Sequence, residues 1–292
     1  MSAKFSLFVH PWYRIAFFLV AVLIFWTASF YFGSPSHGFD VLHLLIFPLF
    51  MIAISGFIEW SRPGKHFWIF GLSFDRSAFH NIALALNLVL TFVIFFFITS
   101  LIFFEVSIGE MGFPILYILI YHVFVAFMEE IMLRGIILQS LSEKFGFAAA
   151  ALTTSAVFAA LHLFNPGIDL LSLINITLAG LVLSFMYFKT KTLWMSIAFH
   201  YFWNVGIALF LGVNLSGFSS EASLIIISEV PQNIFWGGHF GPESGLITTL
   251  FLLLIFYPIA KYGKISPYVT SKLFKRRYNE SMLKLSDEIT SK

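Results

Sequence analysis

The sequence contains no cysteine. Disulfide bonds, thiolate metal ligands and a cysteine nucleophile are therefore excluded together. Charge is also scarce. Asp, Glu, Lys and Arg make up 11% of the 292 residues, where a soluble chain carries about 25%. Apolar residues fill the gap: they reach 59%, and phenylalanine alone occurs 39 times, more than one water-surrounded core can absorb. A bilayer is the solvent in which such a composition is stable. No stretch has the composition of a soluble domain or of a nucleotide-binding domain, so nucleic acid is not an expected partner. The lipid bilayer is.

A helix crosses a bilayer with about 20 mostly apolar residues. Eight stretches qualify: 13–33, 41–60, 81–104, 113–142, 147–164, 168–188, 192–212 and 245–261. The first is too long for a signal-peptide core and is followed by many more, so it reads as a retained helix. Lys and Arg collect on the cytoplasmic side of membrane helices. The segments 34–40, 105–112, 165–167 and 213–244 contain neither residue. Lys4, Arg14, Arg62, Lys65, Arg76, Lys144, Lys189, Lys191 and the basic residues from Lys261 onward all fall in the alternate segments. Adding or removing one crossing would destroy this parity. The expected fold is an all-α polytopic bundle of eight transmembrane helices with both termini cytoplasmic. It forms one intramembrane domain over 1–261, followed by a basic cytoplasmic tail over 262–292. Residues 61–80, with Arg62, Trp68 and Phe74, read as an interfacial loop. Residues 222–236 are partly apolar, but a crossing there would break the parity.

Ionisable groups at membrane depth are costly and mark bundle interiors or water-filled cavities. The fourth stretch carries Glu129, Glu130 and Arg134. Glu130 and Arg134 are four apart and share a helix face, so they can pair. Glu129 is rotated by about 100° and can face something else. The fifth stretch carries His162, four residues after Phe158, and the seventh carries His200 and Asn204 at the same spacing. Taken alone, each has a plain reading: a buried ion network, a satisfied core histidine, a hydrogen-bonding pair between helices.

Their heights link them. Glu129 and His162 are equidistant from a turn centred between Phe145 and Gly146, each about 25 Å of helix away. His200 and Asn204 lie about 15 and 21 Å above the turn at Lys189–Lys191. Three helices thus present Glu, His, His and Asn at broadly similar depth. A carboxylate and a histidine can hold a water and take its proton. A second histidine and an asparagine can donate to an oxyanion. Alternatively, Glu129, His162 and His200 could hold a divalent metal such as zinc that activates the water. The residues do not require a metal, and the HExxH helix of zinc proteases is absent. His122, seven residues before Glu129, falls nearly on the same face and reads as a packing residue that could line the same cavity. The histidines at 10, 37, 43, 66, 80 and 239 fall at helix ends or in loops.

The three motifs, Glu129-Glu130-x-x-x-Arg134, Phe158-x-x-x-His162 and His200-x-x-x-Asn204, together resemble the CPBP family of CAAX prenyl endopeptidases, bacteriocin-processing proteins and Abi proteins. The resemblance covers a core at 113–212, with a weaker likeness at Gly237–Leu246. It implies an eight-helix intramembrane endopeptidase whose site opens toward the cytoplasm or the bilayer. In it Glu129 and His162 would activate water, and His200 and Asn204 would form the oxyanion hole. Glu130 and Arg134, with Phe158 beside them, would support the site. Both a metalloprotease and a metal-free glutamate mechanism fit the family. The implied substrate is a membrane-associated peptide or protein, either lipidated or bacteriocin-like, and the implied location is the bacterial plasma membrane. Two other functions compete. A non-catalytic scaffold or bacteriocin self-immunity protein would keep the motifs for packing. A transporter would show repeated halves and matching broken helices, and the sequence has neither.

Overall fold

Backbone groups in an apolar solvent must be satisfied within their own segment, which favours helices wherever the apolar runs are long. The computed structural model of the chain describes residues 6–32, 41–61, 71–109, 113–220, 222–228 and 233–267. Eight helical stretches among them overlap the eight expected ones. They are α1 (Pro11–Phe32), α2 (Val41–Trp60), α3 (Arg76–Phe103), a composite of α4 (Phe113–Glu130) with α5 (Gln139–Phe145), α6 (Phe147–Leu161), α7 (Leu170–Thr190), α8 (Trp194–Val205) and a broken pair of α9 (Leu246–Leu254) and α10 (Phe256–Tyr262). Four helices, Pro11–Ala28, Arg76–Phe103, Pro114–Phe145 and Leu170–Thr190, are long and apolar enough to cross a membrane by themselves. The expected interfacial loop falls largely on 62–70, and the basic tail largely on 268–292, both outside the described residues.

Two departures from uniform α-helix matter for the site. Between α4 and α5, Ile131–Leu138 adopts π-helical hydrogen bonding, and Gly206–Phe210 does the same directly after α8. Wide π turns occur preferentially at functional sites, and here each begins within two residues of a motif side chain, Glu130 or Asn204. The mostly helical fold also carries one short β-ribbon. Glu105–Ile108 (β1) pairs antiparallel with Ile225–Ser228 (β2), with Val106 opposite Ile227. The partly apolar 222–236 region thus contributes a strand, as its run of β-branched isoleucines favours.

Hydrogen bonds sort the chain turns into two ends. At one end, Arg14 pairs with Glu143 at 2.6 Å, and the Leu193 amide donates to the Gly71 carbonyl at 2.8 Å. Asn81 bonds the Lys264 backbone, and the Ser266 amide reaches the Thr190 carbonyl. The rings of Phe147 and Phe188 lie 4.4 Å apart and join the start of α6 to the end of α7. Gly146, at φ +80°, makes the reversal between α5 and α6 in a conformation that only glycine adopts freely. At the other end lie the β1–β2 ribbon and the loops around Asn165, Ser216 and Glu243. There Asn165 donates to the Ser216 carbonyl, Asn214 to the His239 carbonyl, and the Gly217 amide to the Phe240 carbonyl. Among the described residues every Lys and Arg except Arg134 belongs to the first end.

Between the ends, α7 packs against α6, α8 and α9, while α8 packs against α3, α4 and α7. The main core runs through Phe92, Phe158, Met186, Phe199 and Trp203.

Candidate active site

Glu130 and Arg134 are both fully buried, and their side chains pair at 2.7 Å as the four-residue spacing predicts. Arg134 reaches further. Nη2 donates to the Gly180 carbonyl at 3.1 Å, and the guanidinium stacks over Phe158 at 5.1 Å from the ring centroid. A single cation therefore ties the fourth stretch to α6 and α7. Gly180 makes this possible: a Cβ there would sit 2.8 Å from the Ser155 Cβ, so the α6–α7 approach requires glycine.

Glu130 Oε1 has a second partner, His200 Nδ1 at 3.3 Å. A carboxylate accepts, so Nδ1 carries the proton in this contact. The far nitrogen of the ring, Nε2, lies 3.7 Å from Glu129 Oε2. That exceeds direct hydrogen-bond range and suits a bridging group. The imidazole thus stands between two carboxylates: a fully buried one behind it and one beside the cavity.

His162 is oriented by the same device. Its Nδ1 donates to the Phe158 carbonyl at 2.8 Å, which in the neutral ring leaves the Nε2 lone pair free. The expected fifth helix ends sooner than read from the sequence. α6 closes at Leu161, and His162 is its C-cap residue, at φ −97° and ψ 0°. The helix stops there because Asn165-Pro166-Gly167 follows, with Gly167 at φ +72°. Phe158 meets both imidazoles edge-on, with centroids 4.9 Å from His162 and 6.0 Å from His200.

Glu129, His162, His200 and Asn204 all line one cavity of about 520 Å³, together with Phe158. Glu130 and Arg134 lie behind its wall. His122 lines it as well, and its buried Nδ1 has no hydrogen-bond partner. Glu129 Oε2 is likewise buried without a hydrogen bond. Among the described residues, no group of three His, Asp or Glu side chains is placed to hold a metal ion. Glu129, His162 and His200 share a cavity but are not placed as a ligand set, so the zinc alternative has no site among the described residues.

Several lining residues escaped the sequence reading. Glu243 holds the cavity's rim, its Oε2 accepting from the Ser216 amide at 2.5 Å and the Ser216 hydroxyl at 2.7 Å. Its Oε1 accepts from Trp203 Nε1 at 3.2 Å. Asn175 of α7 donates to the backbone carbonyls of Glu243 and Gly245 and so seats this segment. Glu243 falls inside Gly237–Leu246, where the weaker likeness ended, but no helical spacing connects it to the motifs. Trp203, three residues after His200, was within reach of the spacing argument.

Asp169 begins α7 with a capping box, accepting from the Ser172 amide at 2.7 Å. Its other oxygen accepts from Ser244 Oγ at 2.7 Å. Partial burial pushes this carboxyl up, but the hydrogen bonds from Ser172, Ser244 and the Leu171 amide outweigh it and hold the group below the usual aspartate range.

Comparison with known proteins points the same way. The family profile described as type II CAAX prenyl endopeptidase Rce1-like matches residues 111–206, a segment that contains all seven motif residues. A Bacillus subtilis (strain 168) protein named "Putative membrane peptidase YdiL" is 34% identical over 82 residues, covering 28% of this chain. The chain spans about a third of that relative's length, 32%. No solved structure matches the chain.

Proposed function

We propose that this chain, which matches the Rce1-like profile over residues 111–206, is an intramembrane endopeptidase of the CPBP family. In this reading it hydrolyses a peptide bond in a membrane-associated protein or peptide. All eight helical stretches cross the bacterial plasma membrane, with both termini in the cytoplasm.

One observation carries the reading. Four side chains able to divide the labour of acyl transfer to water line one cavity: Glu129, His162, His200 and Asn204. Glu129, whose oxygen lacks a hydrogen-bond partner, and His162 Nε2 hold the water and take its proton. As the water attacks the scissile carbonyl, negative charge grows on the carbonyl oxygen. His200 Nε2 and the Asn204 amide donate to it. A His200 ring that donates through both nitrogens carries a positive charge. Glu129 and Glu130, 3.7 and 3.3 Å from its nitrogens, supply the counter-charges. Arg134 in turn balances Glu130, so the buried cluster needs no solvent ion. His162 then returns the proton to the leaving amine. Each step uses groups of this chain, and none requires a metal.

The cavity lining contains two carboxylates, Glu129 and Glu243, and neither Lys nor Arg. A terminal carboxylate would meet these two carboxylates and no Lys or Arg, while the His200 cation is already flanked by Glu129 and Glu130, which favours an internal peptide bond.

The test uses purified protein and a library of membrane-anchored peptides, comparing wild type with Glu129→Gln, with and without a chelator. Cleavage lost in the variant and retained with chelator is the expected result. Cleavage lost with chelator would instead require a metal. Cleavage unaffected by Glu129→Gln would remove Glu129 from the chemistry, and no cleavage by wild type would leave the scaffold reading, in which the Glu130–Arg134–Gly180 network only ties helices together.

A further inference from the structure

The resemblance leads one to expect a site that opens toward the cytoplasm or the bilayer. The placement of the rim points to a different face. The cavity lining includes Asn165, Leu215, Ser216, Phe218, Ser219 and Ser220, of which Phe218 and Ser219 are exposed and so mark a rim. All six lie in the loops of the end that also carries the β1–β2 ribbon. The segments 165–167 and 213–244 that supply most of this rim contain no Lys or Arg in the whole sequence. At the opposite end, Arg14, Arg76, Lys144, Lys189, Lys191, Lys261 and Lys264 gather around turns bonded to one another. Basic residues are retained on the cytoplasmic side because translocating them is costly. The two facts together give the cavity a direction.

We propose that substrate reaches this site from the extracytoplasmic face, so that the peptide cleaved is an exported or outward-facing segment of a membrane-associated chain. The inference rests on the peptidase reading for its substrate class, but the direction of the opening stands on the rim and the charges alone. His162 supports the same direction. It caps the end of α6 farthest from Gly146, only three residues before the rim residue Asn165. Behind the cavity wall, the side chains of Glu130 and Arg134 are fully buried and offer no opening.

The absence of cysteine makes the direction directly measurable. Single-cysteine variants Ser219→Cys and Ser220→Cys mark the rim, and Lys144→Cys marks the opposite end. Spheroplasts are treated with a membrane-impermeant maleimide, before and after lysis. The expected result is at least fivefold stronger labelling of both rim variants than of Lys144→Cys before lysis, equalised by lysis. Rim thiols that react only after lysis, or equal labelling of both ends before it, overturn the proposal. A second arm separates this from failure of the peptidase reading. A single-span anchor displays the same reporter peptide on either its outer or its cytoplasmic side, with Glu129→Gln as control. Cleavage of the outer reporter alone, lost in Glu129→Gln, supports both statements. Glu129-dependent cleavage of the cytoplasmic reporter alone keeps the peptidase and overturns the direction. Outward labelling without cleavage of either reporter keeps the direction and removes the peptidase.

Discussion

Arg134 donates to the backbone carbonyl of Gly180 at 3.1 Å, so a buried cation on one helix is held by the main chain of another. The contact exists only because α6 and α7 come together at Gly180 against Ser155. Gly180→Ala places a Cβ 2.8 Å from the Ser155 Cβ and 2.9 Å from its Cα, and overpacking of this kind costs about 1–3 kcal/mol. Thermal unfolding in detergent should show a lower Tm, and peptidase activity should fall with it. Ser155→Gly, added to Gly180→Ala, removes the Cβ and Oγ contacts and leaves only the Cα one, and should recover part of the lost Tm. Absence of recovery would place the cost elsewhere.

Glu129 and Glu130 are neighbours in sequence with opposite expected phenotypes. Removing one partner of a buried ion pair leaves the other uncompensated, at a cost of about 3–5 kcal/mol. Arg134→Ala and Glu130→Ala should therefore fall in Tm and expression. Glu129 borders the cavity and lies 3.7 Å from its nearest charged partner. Glu129→Gln should abolish cleavage while leaving the melting curve close to wild type. Size-exclusion profiles and melting curves of the three variants, run beside the activity assay, check the contrast.

Glu243 holds Ser216 and Trp203 at the cavity rim through both carboxylate oxygens. Glu243→Gln keeps the size but weakens the charge-assisted bonds, which are roughly twice as strong as neutral ones. The substitution should raise KM several-fold with a smaller change in kcat, because the rim and not the reacting groups is loosened. An equal loss in kcat and kcat/KM would assign Glu243 to the chemistry instead.

Asp169 links stability to pH. Its carboxyl is held low in the folded chain by Ser172, Ser244 and the Leu171 amide. A carboxylate with a depressed folded pKa contributes stability above its unfolded value of about 3.9. That contribution is lost as pH falls through the folded value. Wild type should therefore exceed Asp169→Asn in stability by a constant margin from neutral pH down to about pH 5. The margin should shrink toward zero as the pH drops further. Unfolding followed across this range in both proteins tests it, and a margin that grows on acidification would reverse the assignment.

What the sequence determined by itself is local or additive. Composition and the long apolar runs specified a helical membrane chain, because each run satisfies its own backbone as a helix. The alternation of Lys and Arg among the loops needed only counting. Four-residue spacing paired Glu130 with Arg134 and put His200 and Asn204 on one face, because such neighbours are set by one helix's own pitch. The tertiary structure decided everything that depends on contact between elements. It placed Glu130 behind the wall and Glu129 in the cavity, and it paired β1 with β2 across more than a hundred residues of chain. It ended α6 at Leu161, so that His162 caps the helix, and it introduced the π turns that follow Glu130 and Asn204. It brought Glu243 to Trp203 and Ser216, and it lined one part of the cavity with loops free of Lys and Arg. These follow from how helices of unequal length pack around Phe158 and Gly180, and no periodicity along a single chain segment encodes that packing.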